Sequence, residues 1–174
     1  MTPVTAAQCQ WMEEGGGAAA AARCLDFLDD IGIEIDWIDG EEAQLLQGLA
    51  ISKGRLLIDP QVAVWPGDLL HEAGHIAVAD PELRTVLGPL IADTTDEMMA
   101  IAWSYAASFP CDVRPKWLFH DGGYRGDSAS LITSYATGHY IGAPMLGHYG
   151  MTADLRTALA QGLPAFPAMS RWLR

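Results

Sequence analysis

Positive charge is scarce in this chain: two lysines and eight arginines stand against 22 acidic residues, giving a formal net charge of −12 over 174 residues. A surface that binds phosphate backbones needs clustered Lys and Arg. The basic residues here are scattered from Arg23 to Arg174, so neither nucleic acid nor an anionic membrane surface is an expected partner. Cysteine is also sparse. Cys9, Cys24 and Cys111 are odd in number and widely spaced, which argues against a disulfide framework and against a cysteine-ligated zinc site. A long apolar run is missing as well. Ser128 to Ala153 carries no Asp, Glu, Lys or Arg, but Gly138, Gly142, Pro144, Gly147 and Gly150 break it and hydroxyls fill it, too polar for a membrane span. The opening MTPVTAAQCQWMEEGGG lacks the basic start and apolar core of a secretory signal, so a reducing, cytoplasmic setting is expected.

Half of the residues are hydrophobic, enough to give a chain of this length one real core, and residues 1–174 read as a single domain. The first 17 residues end in a glycine run and are expected to be flexible. The alanines that follow predict a helix of about three turns ending near Gly32. IEIDWID alternates apolar and acidic residues, the mark of a half-buried strand over Ile33 to Ile38, closed by the polar turn DGEE. GLAISKGRLLID predicts two more strands, Leu49 to Ile51 and Leu56 to Ile58, joined at Ser52 to Arg55. A helix from Asp68, as N-cap, to Ala79 follows, and Asp80 with Pro81 stops it. Another helix starts near Thr94 or Thr95 and runs to Pro110, with shorter ones around 129–141 and 153–161. The expected class is α+β: a small antiparallel sheet packed on the helix after it, with further helices C-terminal.

That central helix contains HEAGH. Residues four apart lie one turn apart on one helix face, so His71 and His75 can offer two imidazole nitrogens to one metal ion. Leu69, Leu70, Ala73, Ile76 and Ala77 form an apolar arc roughly opposite, and Gly74 leaves room for a second backbone to approach. The competing reading is two exposed histidines on the polar side of an ordinary amphipathic helix. A catalytic zinc site also needs a third protein ligand and an open position. A third histidine in the HExxHxxGxxH pattern is excluded, because Val78 and Pro81 stand where its glycine and histidine would be. Glu97, 22 residues after His75 on the next helix, is the best candidate. It has a rival role, since Thr94 and Glu97 also form a capping box. Asp93, Asp96, His120, His139 and His148 are the substitute ligands.

HEAGH followed by a helix carrying Glu97, Ala100, Trp103 and Ala106 and closed by Pro110 resembles the gluzincin metallopeptidases, most closely their compact IrrE-type members. The resemblance covers residues 49–110. It implies a zincin-like fold, one zinc ion on His71, His75 and Glu97, and Glu72 as the catalytic base for hydrolysis of a peptide or protein substrate. The strand at Leu56 to Ile58 would then serve as an edge for the substrate chain. One departure is Ile101, which stands where thermolysin-like gluzincins have an aspartate four residues after the ligand glutamate. Asp93 or Asp96 would have to orient a histidine instead. In the tail, His139, Tyr140, His148 and Tyr149 are candidate donors to a developing oxyanion. HDGGYRGD lacks the G-K-S/T ending of a phosphate loop. The alternative function is a zincin-like binding module whose metal is structural or lost.

Overall fold

A computed structural model of the chain describes residues 4–40, 44, 46–88, 93–124 and 126–174. The strands are β1 (Gln10–Trp11), β2 (Ile35–Trp37), β3 (Leu49–Ser52), β4 (Arg55–Ile58) and β5 (Ala63–Val64). The helices are α1 (Gly17–Asp30), α2 (Pro66–Val78), α3 (Thr94–Ser108), α4 (Pro115–Leu118), α5 (Asp121–Tyr124), α6 (Ser128–Ala136), α7 (Ala143–His148) and α8 (Leu155–Gln161). The chain is α+β, with the sheet drawn from the first 60 residues as the strand pattern predicts.

Residues 4–17, expected to be loose, carry structure. β1 pairs in parallel with β5, and the indole N–H of the buried Trp11 donates to the Ala6 carbonyl at 2.7 Å. The glycine run serves close packing there: a Cβ on Gly15 would lie 2.7 Å from the Trp65 ring. α1 then buries Ala20, Ala21, Cys24, Leu25 and Leu28 along one stripe. It ends as predicted at Gly32, whose φ of +84° suits a residue without a side chain. Gly32 N–H donates to Asp29 O and Ile33 N–H to Leu28 O, which together satisfy the last carbonyls of the helix.

The main sheet differs from the expected antiparallel one. Its order is β2-β4-β3, with β3 antiparallel to β4 but β2 parallel to it. Lys53 and Gly54, both at positive φ, make the two-residue turn of the β3–β4 hairpin. β4 is therefore the middle strand, paired on both sides, and Leu56 to Ile58 offers no free edge to a substrate. The residues explain why: Leu56, Leu57 and Ile58 form an unbroken apolar run, all buried, as a strand covered on both faces requires. The Arg55–Asp36 ion pair, 2.7 Å, ties β2 to it. The turn expected at Asp39 to Glu42 lies partly outside the described residues.

α2 is the central element, and every one of its residues is buried. It begins three residues before the expected start. Trp65 is the N-cap and Pro66 occupies N1, where a missing N–H costs nothing. Asp68 is thus not the N-cap; its carboxylate turns inward. α1, β3, β4 and α3 surround α2. Gly74 has the predicted role, for a Cβ there would lie 2.9 Å from the Ala100 carbonyl oxygen of α3. The Arg84 guanidinium and the Arg174 N–H donate to carbonyls at the C-terminal end of α2. α6 and α8 overlap the helices expected around 129–141 and 153–161, α6 stopping five residues short, whereas α4, α5 and α7 are short turns that periodicity does not reveal. No helix among the described residues is long and apolar enough to cross a membrane.

Gly74→Ala tests the closeness of α2 and α3. Mid-helix, Ala ordinarily gains about 1 kcal/mol over Gly. Here the added methyl meets backbone, so a net loss of about 1–3 kcal/mol in urea denaturation is expected.

Candidate metal centre

His71 and His75 project from the same face of α2, with ring centroids 4.9 Å apart and planes at 87°. Both turn Nε2 toward Glu97 of α3. His71 Nε2 is 3.4 Å from Glu97 Oε1, and His75 Nε2 is 3.3 Å from Oε2. The three ligand atoms lie within 4.8 Å of one another. A direct charge-assisted N–H···O bond would be about 2.7–2.9 Å. Two donors sharing a tetrahedral ion with bonds of about 2.0–2.1 Å stand about 3.3 Å apart. The spacing therefore fits an ion between the groups better than a direct bond, and this buried group could hold one.

Glu97 is available because α3 is capped otherwise. Asp93 is the N-cap, its carboxylate accepting from the N–H groups of Thr95 and Asp96 at 2.8 Å each. The Thr94–Glu97 capping box does not form, and Glu97 swings to the histidines. Its side chain is 41% exposed while those of His71 and His75 are 11% and 5%, so the group opens to solvent on the glutamate side.

Burial sets the charges. It pushes His71 down to about 4, with the neighbouring His75 adding to the effect and Glu97 opposing it. At neutral pH this imidazole is uncharged and keeps a lone pair for an ion. Glu97 is held below the ordinary carboxylate range, first by its contact with His75. Glu72, between the two histidines in sequence, is pushed up to about 7 by burial. Its Oε2 is buried without a hydrogen-bond partner, as is His75 Nδ1. Unpaired buried polar atoms are uncommon in folded proteins, and two in one site mark it as a place where folding does not account for every group.

The other sequence candidates go elsewhere. Asp93 caps α3, so it does not orient a histidine. His120 bonds Asp68, Nε2 to Oδ1, at 2.8 Å. His139 is exposed and meets Thr137 Oγ1, His148 packs on Tyr149, and Tyr149 lies 3.6 Å under the Arg174 guanidinium. Tyr140 belongs to an aromatic cluster with Tyr105, Tyr135 and Phe166. The hydroxyl that does reach the centre is Tyr124 of α5, whose Oη is 3.0 Å from His71 Nδ1. It escapes a reading of the sequence because 53 residues separate the pair. Its one local signal is HDGGY, where two glycines beside a histidine imply a crowded turn.

Two outcomes follow. Zn²⁺ at 100 times its Kd should stabilise the protein by about 2.7 kcal/mol, seen as a higher Tm, and His75→Ala should abolish the gain. In metal-free protein, Glu72 is raised from 4.5 to about 7, so its ionisation opposes folding. A raised carboxylate favours the fold below its unfolded value and loses that contribution as pH rises through 7. At about 1.4 kcal/mol per pH unit, Glu72→Gln should stabilise metal-free protein by about 3 kcal/mol at pH 8 and by almost nothing at pH 4. Denaturation curves at the two pH values measure this.

In comparisons with protein-family models, curated proteins and solved structures, nothing matches this chain, so the chemistry of the centre is read from its own residues.

Proposed function

We propose that the protein is a zinc-dependent hydrolase of peptide bonds, with one ion on His71, His75 and Glu97 and Glu72 as general base. The observation that carries this reading is Glu72 itself. A purely structural site has no use for a buried carboxylate beside the ligands, with an unpaired oxygen and a pKa pushed to about 7. A carboxylate so placed, with no structural partner for one oxygen, is free to take up and release a proton. Two imidazoles and a carboxylate are also a donor set typical of catalytic zinc, three protein ligands with one position open. When bound, such an ion supplies Lewis acidity for attack on a carbonyl.

The residues of the chain would do the rest. Glu72 takes a proton from the attacking water and returns it to the departing amine. A cleft of about 520 Å³ begins at Glu97 and Tyr124 and continues along Ile101, Leu131, Ser134 and Ile141. It gives a substrate chain access on the exposed side of the centre, with an apolar wall for side chains. The resemblance of HEAGH and the Glu97 helix to the gluzincins, IrrE-type members above all, supports a peptide or protein as the substrate. A formal charge of −12 disfavours a strongly acidic one.

Glu72→Gln separates the roles. Zinc-loaded wild type should cleave members of a broad peptide library. Glu72→Gln should keep its zinc and lose about 10²–10⁴-fold in kcat, and His75→Ala should lose both. Equal inertness of loaded wild type and Glu72→Gln against that library and a cell lysate would defeat the hydrolase reading. It would leave the binding module in its place.

A further inference from the structure

HDGGY is a motif that the proposed reaction leaves unexplained. His120 begins it and lies in a buried, fully engaged setting. Its ring stacks on Trp65, the N-cap of α2, with centroids 4.1 Å apart and planes within 6°. Gly123 N–H donates to its Nδ1 at 3.2 Å. A backbone N–H can only donate, so Nδ1 accepts and the proton sits on Nε2, from which it is given to Asp68 Oδ1 at 2.8 Å. The glycines fit tightly against this ring. A Cβ on Gly122 would stand 3.1 Å from His120 Nδ1, and one on Gly123 would stand 3.2 Å from Nε2 and 3.4 Å from Asp68 Oδ1. Neither glycine has a positive φ, so their smallness serves room and not conformation. Tyr124 comes next, its Oη on His71 Nδ1.

We infer that HDGGY is a positioning device for His71. Asp68 and Trp65, both at the start of the HEAGH helix, hold His120; His120 holds the Gly122–Gly123 turn; and the turn sets the Tyr124 hydroxyl on the outer nitrogen of His71. Helix α2 thus orients its own first histidine by way of a segment some 50 residues distant. Among the described residues no hydrogen bond joins His120 to His71, His75 or Glu97; the bonded path from it to the His71 ring runs through the turn and Tyr124. Outer hydrogen bonds of this kind fix the ring and tautomer of a ligating histidine, and their loss typically weakens metal binding about 10–100-fold. The inference rests on the reading of His71 as a ligand, not on hydrolysis.

The test compares Tyr124→Phe, His120→Ala and the double variant. Two measurements are made: Zn²⁺ and Co²⁺ affinity with the Co²⁺ absorption spectrum, and imidazole ¹⁵N NMR of His71 in metal-free protein. Each single variant should weaken metal binding about tenfold or more, alter the Co²⁺ spectrum and shift the His71 Nδ1 resonance. The double variant should be no worse than Tyr124→Phe, because the two act in one line. Additive losses, or an unshifted His71 resonance in His120→Ala, would overturn the inference. Should His120→Ala fail to fold, Gly123→Ala keeps every side chain of the device but sets a methyl 3.2 Å from His120 Nε2, which pushes the turn and the ring apart and should give the same shift. If wild type took up no metal, the ligand reading would fall, and the ¹⁵N shifts in metal-free protein would still decide whether His120 acts on His71 through Tyr124.

Discussion

The close contact between α2 and α3 at Gly74 and Ala100 is the constraint on which the centre depends. Two helices carrying ordinary side chains at their crossing stand about 8–10 Å apart. A glycine facing an alanine removes most of that bulk, and the Ala100 carbonyl comes to where a Cβ on Gly74 would touch it. Gly74 lies between His71 and His75 in the same turn of α2, and Ala100 lies three residues beyond Glu97 on α3. This tight contact is therefore also where His71, His75 and Glu97 of the two helices come together. A larger residue at Gly74 would separate the helices and the donors together. The apolar arc of α2 and the sheet beneath it hold the same arrangement from the other side.

This placement is costly. Asp68, His71, Glu72 and His75 are all buried in one helix, where charged forms lose their hydration. Against a typical net stability of about 5–15 kcal/mol, the roughly 3 kcal/mol linked to Glu72 alone at alkaline pH is a sizeable fraction. The chain meets the cost unevenly. Asp68 has His120, His71 has Tyr124 and Glu97 has both histidines, whereas Glu72 Oε2 and His75 Nδ1 have nothing. Both unpaired groups belong to residues of the proposed centre; for Glu72, a permanent hydrogen bond on Oε2 would compete with the proton it is proposed to carry.

What was legible in the sequence is what depends on neighbours along the chain. Helical spacing puts His71 and His75 on one face, Gly32 and Pro81 end their helices, and the strand segments are visible in alternation and apolar runs. Glu97 is within reach of the same reasoning because it lies on the next helix, 22 residues after His75. Strand order was not, since the parallel pairing of β2 with β4 depends on how the intervening chain returns, and this made a middle strand look like an edge. The N-cap differs from the expected one for a local reason. Asp68 is a better capping residue than Trp65 by type, but Pro66 at N1 and the partnership with His120 prevail. Tyr124 and His120 find their partners across more than 50 residues, and no periodicity records that.

A hydroxyl as the outer partner of His71 has a consequence that a carboxylate would not. A carboxylate only accepts, so it fixes the proton on Nδ1 at all times. The Tyr124 hydroxyl both donates and accepts. With the proton on Nε2, directed at Glu97, the tyrosine donates to Nδ1; with Nε2 committed to an ion, Nδ1–H donates to the tyrosine. In each state the buried Nδ1 keeps a hydrogen bond, so moving between them leaves no unsatisfied group on this histidine. His75 has no such partner, and its buried Nδ1 is unpaired. The two histidines of HEAGH are thus not equivalent: His71 has an outer partner that suits either proton arrangement, whereas His75 is held on its inner nitrogen by Glu97 alone.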